Sequence, residues 1–482
     1  MAKPPRLPTG VPGATGRAGD GWGVNFHANE WSGKTAEYDM VASAFRVVRL
    51  DLTWGSVESK ARGCGTYDFS SYDAADAAWR ARGVQVLYVM DYWSDCYAQN
   101  NNGCADMACA EAFGDFGAAA MAHFPGAIME CQNEPQGPPF YPNSNATLVA
   151  YMCAAVRAKA AAAKQLNYFV GPTTSWFDYN FIMELAISCA WNAFHAWSIH
   201  PYTGGTPESR LHDINELADY LFQSSGSGKG TLSAPPTVVS SEWGYVSCPP
   251  GDCTDETNVN IMTQGKFVAR MQLTQTLNLA PFNIWYDFKN DPYGATNAES
   301  HFGTVNGTLL PDGSPTPFQP LPGYIAAATA QNTVGNGTFK GRVAASVVDW
   351  DAEDSDVFVL QFDGANSQRA AGFPAFAVWT NISICAAEGP RTPCPGVAPS
   401  GDLFGCIKAG CCYDEAAPAG EAMCFLQPFF FDPLRASFAL PASVDQSACF
   451  STVDTWGNAG GQFCAAAGVL TVNVTDGPLY LL

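Results

Sequence analysis

Two glutamates are set apart by what surrounds them. Glu134 lies in Cys131-Gln132-Asn133-Glu134-Pro135 and Glu242 in Ser240-Ser241-Glu242-Trp243-Gly244-Tyr245, each closing a short apolar run. The ends of other apolar runs carry Arg49, Asp51 and Trp54, then Asp91 and Trp93, then Trp176, then His200 and Tyr202, then Trp285 and Asp287. A pair of carboxyls among aromatic rings and hydrogen-bond donors suits cleavage of a glycosidic bond. One carboxyl protonates the leaving oxygen while the other, ionised, attacks the anomeric carbon. Neighbouring cations and donors lower the pKa of one, and burial or a like charge raises that of the other. Arg49, His200 and Tyr202 are the donors placed to serve Glu242, and Asn133 is placed to bond a sugar 2-hydroxyl.

Each residue also has a plainer reading. A single Glu before Pro at a strand end is as readily a solvated loop carboxylate, and His200 a satisfied core imidazole. Trp54, Trp93, Trp176 and Trp243 divide evenly between core rings and sugar platforms, since aromatic residues serve both uses. Asp51, Asp91 and Asp287 read as strand-end hydrogen-bond partners rather than catalysts. The ordered pair of glutamates carries the chemical reading.

The elements that must position these groups follow from the apolar pattern. Strand candidates fall at 21–26, 46–54, 84–92, 127–135, 167–175, 193–202, 236–245 and 280–291. Helical patterns lie between them at 71–82, 146–165, 210–223 and 258–278, with a last one at 324–331. Eight strands, each followed by a helix, predict a parallel (β/α)8 TIM barrel, an α/β fold whose active site gathers at the C-terminal strand ends. Near-continuous apolar runs such as Val84–Met90 suit strands buried on both faces. An open doubly wound sheet is disfavoured because no glycine-rich phosphate turn follows the first strand. Beyond residue 335 short strand patterns at 344–348, 356–362, 373–380, 435–440 and 468–474 alternate with turns and predict a β-sandwich. The expected domains are a flexible leader at 1–20, a barrel at 21–334, and a sandwich at 335–384 and 426–482 interrupted by an insertion at 385–425.

Asn133-Glu134-Pro135 on the fourth strand and Glu242-Trp243-Gly244 on the seventh resemble the acid/base and nucleophile motifs of clan A glycoside hydrolases. Arg49, the His200-Pro201-Tyr202 strand end and Trp285 match the same pattern. Asn297-Ala-Glu-Ser-His-Phe302-Gly303 and the terminal Asp476-Gly-Pro-Leu-Tyr480-Leu are similar to family 39 of that clan, particularly its endoglycosidase branch. The resemblance spans roughly residues 21–380 and 428–482. It implies a retaining, endo-acting β-glycan hydrolase, with Glu134 as acid/base and Glu242 as nucleophile, that needs no metal or cofactor. An exo-acting β-xylosidase or β-glucosidase and a non-catalytic carbohydrate-binding protein are the alternatives.

Composition narrows the partners. Of 482 residues, 45 are acidic and 24 basic, and a net charge of −21 opposes binding to nucleic acid. No apolar run reaches the length of a membrane span. A carbohydrate is the expected partner and a monomer the default assembly. The 17 cysteines, with Asn-x-Ser/Thr sequons at Asn145, Asn306, Asn336, Asn381 and Asn473, point to an oxidising, secretory route, although Met1-Ala-Lys-Pro-Pro-Arg opens no apolar signal segment. With only 6 His and no repeated Cys-x-x-Cys, a zinc site is disfavoured.

Six of the cysteines crowd the insertion. The run Cys406-Ile-Lys-Ala-Gly-Cys411-Cys412-Tyr413-Asp414, together with Cys385, Arg391, Cys394 and Cys424, resembles a trefoil (P-type) module. That resemblance implies the pairs Cys385–Cys412, Cys394–Cys411 and Cys406–Cys424. Elsewhere Cys248 and Cys253 are spaced to close a small loop, and Cys449 and Cys464 to staple a sandwich hairpin.

Overall fold

The computed structural model describes residues 16–27, 35–97, 104–141, 144–190, 192–225, 232–248, 255–307, 319–348, 356–364, 373–381, 392–393, 412–413, 422–426 and 434–482. Its first half is built on nine parallel strands: β1 Trp22–Asn25, β2 Val47–Thr53, β3 Gln85–Asp91, β4 Ile128–Cys131, β5 Tyr168–Val170, β6 Thr174–Ser175, β7 Trp197–His200, β8 Val238–Trp243 and β9 Asn283–Trp285. They run in the order β5-β4-β3-β2-β1-β9-β8-β7-β6. The two ends of this sheet belong to one stretch of chain. Val170 bridges to Ala196 while Thr174 pairs with Ile199, so the sheet closes on itself as a barrel. The single strand expected at 167–175 is thus broken in two. At the break Gly171 has φ 120°, and a Cβ there would sit 3.1 Å from the Cys131 backbone. Only glycine tolerates both the conformation and the approach.

Period two decides what the barrel encloses. Val47, Leu87, Val89, Ile128, Tyr168, Val170, Ala196, Val239, Phe282 and Ile284 fill its interior. The next inward positions towards the C-terminal ends are Arg49, Glu130, Ser198 and Ser241, all buried. The apolar plug is therefore capped by a polar layer at the end where the chemistry was expected.

The sandwich is also present. A six-stranded sheet contains Thr338–Arg342, Val357–Asp363, Pro374–Thr380, Leu479–Leu481, Cys449–Val453 and Ala459–Cys464, in that order. Ala345–Val348, Leu434–Ala439 and Val469–Val474 form a facing three-stranded sheet. Val357, Val359, Phe376 and Val378 pack inward against Ala436, Phe438, Leu470 and Val472. The alternate residues Phe358, Leu360, Ala375, Ala377 and Trp379 pack on Trp22, Ala269, Leu273 and Ala330 of the barrel. Both faces of Pro374–Thr380 are covered, which is why its sequence is apolar up to its last residue, Thr380, and buried throughout. The helix Ile261–Leu277 lies between the two units and is buried from Met262 to Thr276.

Charge reinforces this seam. Glu208, in the segment after β7, accepts from Arg270 Nε at 2.9 Å and from Trp379 Nε1 of the sandwich at 2.7 Å. Lys266 binds Asp476 at 2.8 Å. Part of the segment expected as a leader is packed: Ala18 donates its N–H to Gly337 O, Arg17 bridges Thr338, and Gly19 and Gly21 are buried, while residues 1–15 lie outside the described residues. Residues 16–20 therefore belong to the packed seam.

Four disulfides lie among the described residues. Cys449–Cys464 joins neighbouring sandwich strands, as their spacing suggests. Cys64–Cys96 and Cys104–Cys109 tie loops at the barrel mouth, and Cys131–Cys153 ties the end of β4 to the helix Ala146–Ala162. Cys248 is disulfide-bonded, with Cys253 outside the described residues. In the insertion, Thr392–Pro393, Cys424–Leu426 and Cys412–Tyr413 form a small antiparallel sheet. Cys424 is disulfide-bonded, but the pairs Cys385–Cys412, Cys394–Cys411 and Cys406–Cys424 involve residues outside the described set. No helix among the described residues is long and apolar enough to cross a membrane.

Removing Glu208 would strand Arg270 as a buried cation beside the seam. Glu208→Ala should lower stability by about 3–5 kcal/mol, the cost of breaking a buried pair from one side. Urea unfolding of the variant and parent checks this, and a loss below 1 kcal/mol would contradict the role given to the pair.

Candidate active site

The C-terminal strand ends converge as the barrel requires. Arg49, inward on β2 and 2% exposed, organises them. Its Nε donates to Glu130 Oε2 at 2.8 Å, Nη1 to Glu242 Oε2 at 2.7 Å and to Asn25 Oδ1 at 3.1 Å, and Nη2 to Asn133 Oδ1 at 2.8 Å. One guanidinium thus joins the ends of β1, β2, β4 and β8. Because Arg49 takes the Asn133 oxygen, the Asn133 amide nitrogen is the atom left to donate elsewhere.

Glu242, the next-to-last residue of β8, also accepts from the Tyr202 hydroxyl at 2.9 Å. Gly244 follows because a Cβ there would collide with the Tyr286 carbonyl. Glu134 reaches the same space from the other side. The chain continues past β4 through a bridge between Asn133 and Thr173, and Glu134 donates its N–H to Thr173 O at 2.9 Å. Glu134 has φ 44°, a costly conformation for a residue with a side chain and one that recurs at functional sites. His200, buried at the end of β7, stands between the acids. Its Nδ1 lies 2.7 Å from Glu134 Oε1 and 3.6 Å from Glu242 Oε1. The two glutamates keep 18% and 13% of their side-chain surface exposed, enough to face a ligand.

Glu130 was not singled out in the sequence, yet it is the fixed counter-charge of Arg49. Burial pushes its carboxyl up, but Arg49, His200, Ser241 and Thr173 together hold it below its ordinary value of 4.5. Asp91 shows the opposite balance. Fully buried with Asp51 beside it, its carboxyl is pushed well above 3.8. Tyr202 is likewise raised, by burial and then by the charge of Glu242, so it remains a donor to that carboxylate at neutral pH. Glu299, raised mainly by burial, accepts from Tyr286, whose hydroxyl also lies 3.2 Å from His27 Nε2.

The aromatic residues separate sharply. Trp54 is fully buried, donates to Glu58 and stacks on Tyr97 and Phe116. Trp243 and Trp285 are fully buried too, donating to Asn283 and to Phe302 O. These three rings are core, which corrects their expected role as substrate contacts. Their indole N–H groups find partners inside the fold, so burial carries no polar penalty. Trp93 is half-buried, and Trp176 stands out at 45% exposure.

Among the described residues, two groups bring possible metal ligands within 4.8 Å of one another: Glu134, His200 and Glu242, and separately His27, Asp287 and Asp291. In the first, the Arg49 guanidinium already holds the cation's place beside Glu242, so the donor set suits an organic substrate better than an ion.

No protein-family model and no curated protein matches the chain. Solved structures do. A family 39 glycoside hydrolase from the gut symbiont Bacteroides cellulosilyticus WH2 is 19% identical with a TM-score of 0.61, over 99% of this chain and 82% of that one. A GH30 endoxylanase from Clostridium papyrosolvens C71 is 12% identical, TM-score 0.54, covering 96% and 95%. A glucosidase from Croceicoccus marinus is 11% identical, TM-score 0.56, covering 97% and 96%. At these identities the likeness establishes the fold: the chain shares its architecture, almost end to end, with solved glycoside hydrolases.

The two buried acids give opposite pH signatures. Asp91, raised in the folded state, favours folding below 3.8 and opposes it as pH climbs through its raised value. Glu130, lowered, contributes stability above 4.5 that is lost as pH falls through its depressed value. Asp91→Asn should therefore gain stability at pH 7 and match the parent below 3.8. Glu130→Gln should lose most at pH 7 and converge on the parent in acid. Urea midpoints from pH 3 to 8 test both, and an Asp91→Asn variant weaker than the parent at pH 7 would contradict the assignment.

Proposed function

We propose that this chain is a clan A retaining glycoside hydrolase that cleaves β-glycosidic bonds inside a polysaccharide. One observation carries the reading: Glu134 and Glu242 approach within 4.8 Å across the barrel mouth, with different partners. Carboxyls roughly 5–5.5 Å apart suit double displacement, whereas inversion needs about 6.5–9.5 Å to admit a water. The shared architecture with solved glycoside hydrolases supports the same class.

Glu242, oriented by Arg49 and Tyr202, attacks the anomeric carbon as an anion. The bond to the leaving oxygen breaks, and that oxygen takes the proton held by Glu134. A covalent glycosyl-enzyme results. Glu134, now a carboxylate, removes a proton from water, whose oxygen attacks the same carbon and releases Glu242. His200, within hydrogen-bond reach of Glu134, holds that carboxyl in place in both states. Asn133, aligned by Arg49, offers its amide to the sugar 2-hydroxyl. No step calls for a metal or cofactor. Clustered disulfides and sequons support a secreted enzyme, and the segment 385–425 is a trefoil-like module outside the chemistry.

Glu242→Ala should abolish turnover of a β-glycoside, and sodium azide should restore part of it as a glycosyl azide of inverted configuration. Near-normal activity in that variant would end the assignment. Deleting 385–425 through a short Gly/Ser link should leave hydrolysis of a small soluble substrate within a few-fold of the parent, and a collapse with the barrel still folded by circular dichroism would place the segment in the cleft.

A further inference from the structure

Among the described residues Trp176 is the tryptophan left most exposed, at 45%, and the fold expends constraint to hold it there. It follows β6 directly and has φ 66°, which for a bulky residue costs on the order of 1–3 kcal/mol. Its N–H donates to His200 O at 3.0 Å, and its carbonyl accepts from Thr174 Oγ1 at 3.1 Å, so the backbone cannot relax. Beneath the ring lies Arg210, with Cζ 4.2 Å from the ring centroid. That guanidinium is itself pinned, donating to Pro201 O at 3.2 Å, to Tyr202 O at 2.8 Å and to Asp213 at 2.5 Å. One face of the indole is thus fixed on a cation while 45% of the residue remains exposed. Exposing a large rigid ring at this cost makes sense if something apolar and flat lies on it.

Its connections say which side of the cleft it serves. The residue before it, Ser175, accepts at its carbonyl from Gln136 Nε2 at 3.0 Å, and Gln136 lies two residues beyond Glu134. The carbonyl that receives the Trp176 N–H belongs to His200, whose ring holds Glu134. The β6 segment that carries Trp176 is therefore bonded directly to the Glu134 segment, through Gln136 and through the Glu134 N–H on Thr173 O, whereas Glu242 lies on β8, beyond β7. The group beside the acid in a glycosidase is the leaving group.

We infer that Trp176 is the sugar platform of the leaving-group subsite and selects substrates whose leaving group is itself a sugar. This rests on the hydrolase reading and deepens it: a rigid platform beyond the bond to be cut favours action within a chain over release of small aglycones. Trp176 acts as a specificity residue, and its ring, not its backbone, does the selecting.

The test compares substrates sharing a donor but differing in leaving group. Parent, Trp176→Ala and Trp176→Phe are assayed on xylotetraose with xylobiosyl fluoride, and on cellotetraose with cellobiosyl fluoride, using whichever series the parent cleaves. Fluoride is a single atom and cannot reach the platform. The ratio of kcat/KM for tetraose over fluoride should fall on the order of tenfold in Trp176→Ala, and Trp176→Phe should recover most of it. A ratio unchanged in Trp176→Ala, whether both rates hold or both fall together, overturns the platform alone. If the parent cleaves neither series, the tetraose and biosyl fluoride of the β-glycan it does cleave take their place, and a parent inactive on β-linked gluco-, xylo-, manno- and galacto-oligosaccharides alike overturns the hydrolase reading and the platform with it.

Discussion

A single buried cation sets the terms for this barrel mouth. Arg49 has given up nearly all its hydration, and a guanidinium in that position must be matched by charge and by acceptors. Glu130 supplies the permanent match from inside, and Glu242 the second from the rim. Asn25 and Asn133 fill the remaining directions. The planar fork of arginine fixes where each acceptor lies, which lysine's point charge would not. Four strand ends are thereby referenced to one rigid group, and the acids face each other at a separation the protein sets rather than the substrate.

The second constraint acts at longer range. The segment after β7 carries Tyr202, which bonds Glu242, and Arg210, which underlies Trp176. The same segment carries Glu208, buried between Arg270 of the barrel and Trp379 of the sandwich. A loop that must hold two cleft residues is thus anchored at its far end to the accessory domain. The sandwich, in this light, is a brace for the site. Its central strand is apolar on both faces because one face makes the sandwich core and the other the seam.

The barrel was legible in the sequence because its strands are short apolar runs whose last residues turn polar. Period two then carries apolar plug residues such as Val47 and Ile128 directly into Arg49 and Glu130. Glu130 was nonetheless passed over, since it sits inside the run Ala127-Ile-Met-Glu-Cys rather than at its end. A lone acid facing inward in an apolar strand demands a buried cation, and Arg49 was the candidate already in view. Trp54, Trp243 and Trp285 were misplaced for a different reason. Their burial depends on rings and loops far along the chain, such as Phe116 over Trp54 and the 302 carbonyl over Trp285. The Cys449–Cys464 pair followed from hairpin spacing, whereas Cys131–Cys153 joins a strand to a helix and has no local signature.

The central claim is that Glu242 becomes covalently attached to the sugar. An activated 2-deoxy-2-fluoro glycoside of the preferred sugar slows the second displacement more than the first and lets the intermediate accumulate. Mass spectrometry of the digested protein should then find the fluorosugar on the peptide containing Glu242, with one sugar per chain. An adduct on another residue, or none while the first-formed product carries the inverted anomeric configuration, would contradict the account.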